Sequence, residues 1–139
     1  MDDDRWIPAE TWAIIVEHVP LVSVDLVLRH DGGVLLGRRE NEPAKGEWFV
    51  PGGRVRKGER LEDAVHRVAE EELSIEVEIV ESLGAYEHLY SESDVGGGGG
   101  KHYLANGFVV RHVAGEIVSD EQHESVRVCT KPRKLHPYV

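Results

Sequence analysis

The stretch that decides how this chain folds runs from Gly53 to Ile75 and reads GRVRKGERLEDAVHRVAEEELSI. Apolar residues recur in it at positions i, i+3, i+4, i+7 and i+8, which is the spacing of one face of an α-helix. The pattern predicts a helix over residues 60–73 with a buried stripe made of Leu61, Ala64, Val65, Val68 and Ala69. At about 100° per residue, Glu72 falls in the middle of that stripe.

An acidic side chain on a buried helix face is costly unless it is paired or bound to a cation. Acids in the last turn also face the negative end of the helix dipole. Two alternatives follow for Glu72: it bends outward to water, or a hard divalent cation with oxygen ligands holds it inward. The sequence favours the cation, because one ion would offset both costs.

The same stretch resembles the Nudix box, a loop–helix–loop motif that places glutamates on Mg²⁺ and the metal on a diphosphate. The matching residues are Gly53, Glu59, Arg67, Glu71, Glu72 and Ile75. Val68 departs from the box, which has a glutamate there, and Ser74 stands where it has a glycine. The resemblance implies an α/β (α+β) fold, a Nudix-type α/β/α sandwich with a mixed β-sheet, as a single domain over residues 1–139 with the box at 53–75.

Outside the box, the chain resembles the GDP-mannose mannosyl hydrolases, a Nudix branch that also lacks the glutamate after the box arginine. The resemblance lies between Val19 and Arg127, at residues 21–25, 35–37, 43–44, 48–55, 102–103 and 120–123. It implies Mg²⁺-dependent hydrolysis of a GDP-sugar, GDP-mannose or GDP-glucose, at the anomeric carbon with inversion. GDP and the free sugar would be released.

The branch pattern also implies a metal centre and a base. Glu72 would be the main side-chain ligand of Mg²⁺, with Mn²⁺ as the alternative ion because both accept oxygen ligands. The backbone carbonyl of Gly52 and the side chain of Gln122 would complete the protein's share. His123 would be the general base that activates water, a task suited to a group that titrates near neutral pH.

Three further box residues receive roles from the resemblance and from their spacing. Glu59 and Arg67 are expected to be structural partners. For Glu71, two roles stay open: it binds a second metal ion, or it pairs with Arg67, which lies four residues before it on the helix.

The substrate contacts implied by the resemblance come from elsewhere in the chain. Arg39 and Arg54 would neutralise the diphosphate leaving group and so belong to the catalytic set. Asp25 and His88 would orient the sugar, and Tyr103 would contact a phosphate. Asp25 also attracts attention from the sequence alone, because it interrupts an apolar strand.

The flanking sequence predicts how the chain is organised. Residues 1–20 form an N-terminal helical extension, with the helix itself from Glu10 to Val19 and Pro20 ending it. Hairpin, strand and turn signals predict strands near residues 21–28, 34–36, 48–50, 75–90 and 103–113. The five glycines at 96–100 predict a loop, residues 119–124 a polar loop, and residues 128–139, with two prolines, a short irregular tail.

The composition narrows the classes of partner and compartment. A net charge of −10 argues against binding to a nucleic-acid backbone. No stretch approaches a membrane span, and with one cysteine and an acidic start we expect a cytoplasmic protein. The excess of acids over few lysines is typical of proteins from salt-loving organisms. A homodimer through the N-terminal helix is a further expectation.

Two other functions compete with hydrolysis at carbon. The first is that of an ordinary Nudix pyrophosphohydrolase, which cleaves the diphosphate of a nucleotide sugar or nucleoside triphosphate; the paired acids Glu71 and Glu72 favour it. The second is a nucleotide-binding module with degraded catalysis, favoured by Val68 and Ser74. Retention of Glu72 and His123 opposes that second alternative.

Overall fold

The computed structural model describes residues 7–30, 33–39, 48–89, 100–117 and 123–129, with the backbone alone at residues 30, 36–39, 48–49 and 123–129. These residues form helices α1 (Ala9–His18) and α2 (Leu61–Leu73). They also form strands β1 (Leu21–His30), β2 (Gly33–Arg39), β3 (Trp48–Phe49), β4 (Gly52–Arg54), β5 (Glu76–Leu89), β6 (His102–Ala114) and β7 (His123–Cys129).

Strand β1 is the centre of the sheet. It runs parallel to β6, from Leu21 opposite Tyr103 to Leu28 opposite Val110, and its middle pairs antiparallel with β4. The strand order is β3-β2-β1-β6-β5, with β4 beside β1 and β7 beside β2. Parallel and antiparallel pairs therefore occur in one sheet, and the predicted mixed α/β architecture is confirmed.

Helix α2 packs on one face of this sheet through its apolar stripe. Ala64, Val65, Val68 and Ala69 are buried, as predicted. They join a core that also contains Val24, Leu26 and Leu28 of β1 and Phe108 and Val110 of β6. Leu61 was expected in the stripe, but it lies in the first turn outside this core and is 37% exposed, so that expectation is wrong.

The end of α2 shows the conformational cost of one departure from the box, the serine at position 74. Ser74 has a left-handed backbone conformation, with φ at 61°. Its N–H donates to the Glu70 carbonyl at 2.9 Å, and the Ile75 N–H donates to the Ala69 carbonyl at 3.3 Å, which ends the helix. Glycine adopts this conformation freely, whereas serine does so at a cost in conformational energy.

Residues of β1 that alternate with its core residues face away from α2. Strand register places Ser23 and Asp25 of β1, Arg54 of β4, Tyr103 of β6 and His88 of β5 together on this side. We call these five residues the polar face. Helix α1 lies against it, because the ring of Trp12 contacts the Arg54 guanidinium.

Two strands differ from the predictions. The Pro-Gly-Gly sequence at 51–53 was expected only to close a strand, but Gly52–Arg54 is itself strand β4. His123–Cys129 is strand β7, so the last two residues of the polar loop expected over 119–124, and the first two of the irregular tail expected from residue 128, belong to a strand. Pairing with β2, with Val34 opposite Cys129, supplies the backbone hydrogen bonds that order these residues. Residues 119–122 lie outside the described residues.

Across the residues described above, no helix has the length and apolar character needed to cross a membrane.

Candidate active site

Arg67 connects α2 to the loop that precedes it. Its Nε donates to Glu59 Oε2 at 2.7 Å and its Nη2 to Glu59 Oε1 at 2.9 Å, which makes a bidentate pair. The same Nη2 donates to the Arg54 carbonyl oxygen at 2.8 Å. The hydrogen bond from Arg67 is the main cause that lowers the pKa of Glu59. Glu59 and Arg67 therefore have the structural contacts expected of them.

Glu71 completes this network. Its Oε1 accepts from Arg67 Nη1 at 2.9 Å, and its Oε2 accepts from Arg56 Nη2 at 3.1 Å. Of the two roles left open for Glu71, pairing with Arg67 is the one seen. The sequence analysis did not identify Arg56 as part of this network. The available signal was its position three residues before Glu59, whose Oε1 accepts a hydrogen bond from the Arg56 backbone N–H at 3.0 Å.

Glu72 has a different environment from its neighbour. Its side chain is buried, at 8% exposure. Within the described part of the chain, its carboxylate accepts no hydrogen bond and joins no ion pair. A buried carboxylate without a partner among the described residues is consistent with the prediction of a group that binds a cation, and the alternative in which Glu72 bends out to water is not what the structure contains.

The carbonyl of Gly52 points away from β1. Leu26 donates to the Pro51 carbonyl and Val55 donates to the Val22 carbonyl, both at 2.8 Å. In an antiparallel ladder the pairs alternate, so Gly52 and Arg54 occupy the positions whose N–H and C=O point away from β1. The Arg54 carbonyl reaches Arg67, and the Gly52 carbonyl points the same way, roughly 6.6 Å further back along the strand.

Helix α2 meets β4 at two points. Arg67 donates to the Arg54 carbonyl, and Val68 lies against Gly53, so two neighbouring residues of α2 contact β4. Gly53 fits because a Cβ there would lie 2.9 Å from a methyl carbon of Val68. Gly53 thus allows β4 and α2 to approach closely.

Asp25 lies on the other side of the Gly52 backbone. A Cβ on Gly52 would come within 2.5 Å of Asp25 Oδ1, so only glycine leaves room for this carboxylate. Burial raises the pKa of Asp25 from its usual 3.8 to about 6. Asp25 therefore changes its protonation state close to neutral pH.

Arg54 extends the polar face from Asp25 toward α1. Burial lowers the pKa of its guanidinium, and the nearby Tyr103 acts in the opposite direction. Trp12 and Lys101 are additional residues here that the sequence did not single out: the Arg54 Cζ lies 5.4 Å and the Lys101 Nζ 5.5 Å from the centre of the Trp12 ring. These contacts join distant segments, so no local pattern could have revealed them.

The structure does not bring every predicted site residue together. Asp25 is level with Gly107, whereas His88 is level with Tyr103, four residues earlier on β6 and about 13 Å away along the strand. The backbone register therefore separates Asp25 from His88, although both were expected to contact the same sugar. His88 is buried, at 8% exposure.

The remaining predicted residues are only partly described. Arg39 of β2 is the register partner of His123 of β7, which places the expected base and one expected diphosphate contact on adjacent strands. Gln122 lies outside the described residues. Among the residues that are described, no three histidine, cysteine or acidic side chains cluster as a metal site.

The fold and the helix with its loop define the class of protein. Residues 19–137 match the NUDIX domain family, and the chain belongs to the Nudix hydrolases. Among solved structures it is similar to a MutT NUDIX hydrolase from Burkholderia pseudomallei, with 30% identity and a TM-score of 0.72 over 86% of this chain and 92% of that one. A MutT protein from Methanosarcina mazei Go1, at 24% identity and a TM-score of 0.70, shares the fold over 86% of this chain and 87% of that one.

Two curated relatives are also similar in sequence. The chain is 57% identical to the low-salt glycan biosynthesis protein Agl8 of Haloferax volcanii, over 96% of this chain and 86% of that protein. It is 35% identical to an ADP-ribose pyrophosphatase of Methanocaldococcus jannaschii, over 70% of this chain and 54% of that protein. Nudix hydrolases act on nucleotide-derived substrates and generally use divalent metal ions such as Mg²⁺.

Proposed function

We propose that this chain hydrolyses a GDP-sugar, GDP-mannose or GDP-glucose, at the anomeric carbon and releases GDP and the free sugar. The observation that carries the proposal is the environment of Val68. The box normally has a glutamate at this position, and here the side chain is 1% exposed and packs against Gly53 in the core. The helix therefore presents Glu72 without a second carboxylate one turn before it.

The second acid of the helix does not replace the missing one. Glu71 is held by two guanidinium groups, those of Arg56 and Arg67, so its oxygens are already engaged. This arrangement disfavours the metal-rich centre expected for attack at phosphorus. It supports a centre with one principal carboxylate, in which the reaction occurs at the sugar instead.

The residues present fit a divalent cation. Glu72 is buried without a protein partner in the described part of the chain, and the Gly52 carbonyl points away from β1 and so is not used in that ladder. These two groups and the side chain of Gln122 would hold Mg²⁺, or Mn²⁺, through oxygen atoms. The ion would neutralise negative charge that develops on the diphosphate as it leaves.

The remaining chemistry is assigned to the chain's own groups. Water attacks C1 of the sugar, the bond from C1 to the diphosphate oxygen breaks, and His123 accepts the proton of the water. Arg54 and Arg39 neutralise the departing GDP, and burial of Arg54 strengthens its electrostatic attraction. Tyr103 contacts a phosphate, Asp25 orients the sugar, and His88 contributes from the opposite end of the polar face.

One of the two curated relatives supports a role in sugar metabolism. The protein that is 57% identical is described as a glycan biosynthesis protein, and it comes from Haloferax volcanii. Together with the net charge of −10, this supports function at high salt, where self-repulsion is screened. A cytoplasmic location and a homodimer stay predictions.

The decisive experiment is hydrolysis of a panel of nucleotide sugars with Mg²⁺ or Mn²⁺ in ¹⁸O-labelled water, followed by mass analysis of both products. Label in the free sugar is the expected outcome. Label in a phosphate would replace the proposal with ordinary Nudix cleavage of the diphosphate.

The control for this experiment is a His123→Ala variant. We expect it to lose hydrolysis while it keeps its affinity for GDP. If neither protein hydrolyses any nucleotide sugar and both bind GDP equally, the chain is a nucleotide-binding module and not an enzyme.

A further inference from the structure

Two arginines and two glutamates form one network beside the turn of α2 that carries Glu72. Glu59 accepts from Nε and Nη2 of Arg67, at 2.7 and 2.9 Å. Glu71 accepts from Arg67 Nη1 at 2.9 Å and from Arg56 Nη2 at 3.1 Å. The formal charges of these four residues cancel. Without Arg56, one guanidinium would be shared between two carboxylates, and the network would carry a net negative charge.

Arg56 lies where a positive charge has a large effect. Its side chain is 14% exposed and that of Glu71 is 36% exposed, so water screens this pair less than it screens a surface pair. Glu71 directly precedes the buried Glu72 in the last turn of α2, where the negative end of the helix dipole disfavours acids. That turn contains no basic residue. Arg56, from the loop before the helix, supplies the positive charge that the turn itself lacks.

A divalent cation could occupy the same position as this guanidinium. Two adjacent acids at the end of a helix favour a hard cation with oxygen ligands. Arg67 orients the Glu71 carboxylate through Oε1, whereas Arg56 approaches Oε2 more closely, at 3.1 Å against 3.5 Å for Oε1. An ion bound at Oε2 would therefore compete with Arg56 for the same oxygen, while Arg67 could keep its own contact.

We infer that Arg56 takes the place of a second divalent ion at Glu71 and thereby limits the metal centre to one ion, the ion at Glu72. Arg56 is a positioning residue, because it acts through Glu71 and not on the substrate. The inference rests on the proposed function only for the presence of the first ion. The bond that the enzyme cleaves does not enter it.

The test counts the Mn²⁺ ions that the full chain binds without substrate, by isothermal titration calorimetry and by electron paramagnetic resonance of the free ion, at fixed salt. We expect the unmodified protein to bind one ion. Arg56→Gln removes the charge but keeps a polar side chain, and it should bind two ions, with an affinity for the second about tenfold or more above that of the unmodified protein. Arg56→Ala repeats the measurement without a side-chain amide and should give the same count.

Three further variants are the controls. Lys57→Gln removes the same charge from the next residue, which is exposed, and should bind one ion. Arg56→Lys keeps a positive charge beside Glu71 and should also bind one. Arg56→Gln combined with Glu71→Gln should return to one ion, because the carboxylate that holds the second ion is gone. Thermal melts in EDTA establish that each variant is folded, and added Mn²⁺ should raise the Tm of Arg56→Gln more than that of the unmodified protein.

The outcomes separate this inference from the proposed function. No bound ion or two bound ions in the unmodified protein, or an equal count in Arg56→Gln, overturns the inference even if GDP-sugars are hydrolysed at carbon. A second ion that persists in the double variant binds elsewhere and overturns it as well. A second ion that needs both the loss of Arg56 and the presence of Glu71 supports the inference even if ¹⁸O enters phosphate, in which case only the proposed reaction is wrong.

Discussion

On the α2 side of β1, Val24, Leu26 and Leu28 are fully buried in an apolar core. Ser23 and Asp25 alternate with them along the strand and face a layer of polar groups on the opposite side of the sheet. Each side nevertheless holds one carboxylate shielded from water, the buried Glu72 on α2 and the half-buried Asp25 on β1. Neither has a hydrogen-bond partner among the described residues. The comparison teaches that the fold keeps one costly acid on each side of the sheet, and that their cost needs a functional reason.

The largest effect is expected from replacing Glu72, the acid on the apolar side of the sheet. Glu72→Gln should reduce kcat about 1,000-fold, because the main carboxylate ligand of the cation is lost. Divalent-ion titrations of activity and of thermal stability measure this. Glu70→Gln alters the exposed acid two residues earlier and should be nearly neutral; a Glu72→Gln enzyme within tenfold of the unmodified one would refute a metal role.

Removing the residue that joins the loop to the helix should have the next largest effect. Arg67→Ala leaves Glu59 without its bidentate partner and frees the Arg54 carbonyl, at a cost of about 3 kcal/mol in the free energy of unfolding. Urea unfolding measures it. The matched control is Arg111→Ala, whose pair with Glu78 is exposed and should be worth less than about 1 kcal/mol. Similar losses in both variants would contradict the structural role.

On the polar side of the sheet, Asp25 should make the stability of the protein depend on pH. Its pKa is about 6 when folded and near 3.8 when unfolded, so the folded state binds more protons between these values. The contribution of Asp25 to stability therefore falls as the pH rises from about 4 to about 7, by roughly 2–3 kcal/mol, and then levels off.

Asp25→Asn should remove this dependence. Without divalent ions, the variant should be about 2 kcal/mol more stable than the unmodified protein at pH 7.5, and the difference should disappear near pH 4. Urea unfolding across that pH range measures it. A stability difference that stays constant with pH would show that folding does not raise the pKa of Asp25.

The sequence predicted most of the framework because its signals are local. The period of the apolar residues located α2 to within a residue, and the spacing of Glu59, Arg67 and Glu71 anticipated their contacts. Strand β4 was missed because Pro51-Gly52-Gly53 has the composition of a turn and its pairing partner lies about 30 residues away. Strand β7 was missed because nearby prolines outweighed the alternation of Val126 and Val128.

The candidate site could be predicted only in part, for the same reason. Burial of Glu72 follows from helix geometry, which one segment encodes. The shared ring of Trp12 and the space beside Gly52 depend on segments that meet only after folding. The separation of Asp25 from His88 likewise depends on the register of β5, β6 and β1, which no single segment specifies.

The smallest effect is expected at Ser74, where α2 ends. Ser74→Gly should stabilise the protein by about 1 kcal/mol, because glycine has no steric cost at a φ of 61°. Part of the gain is offset by the greater freedom of glycine in the unfolded chain. Ser82→Gly, at an exposed strand position, is the control and should destabilise. If Ser74→Gly raises stability without altering kcat, the serine has no role in the reaction; a loss of activity would show that the position of Glu72 depends on how the helix ends.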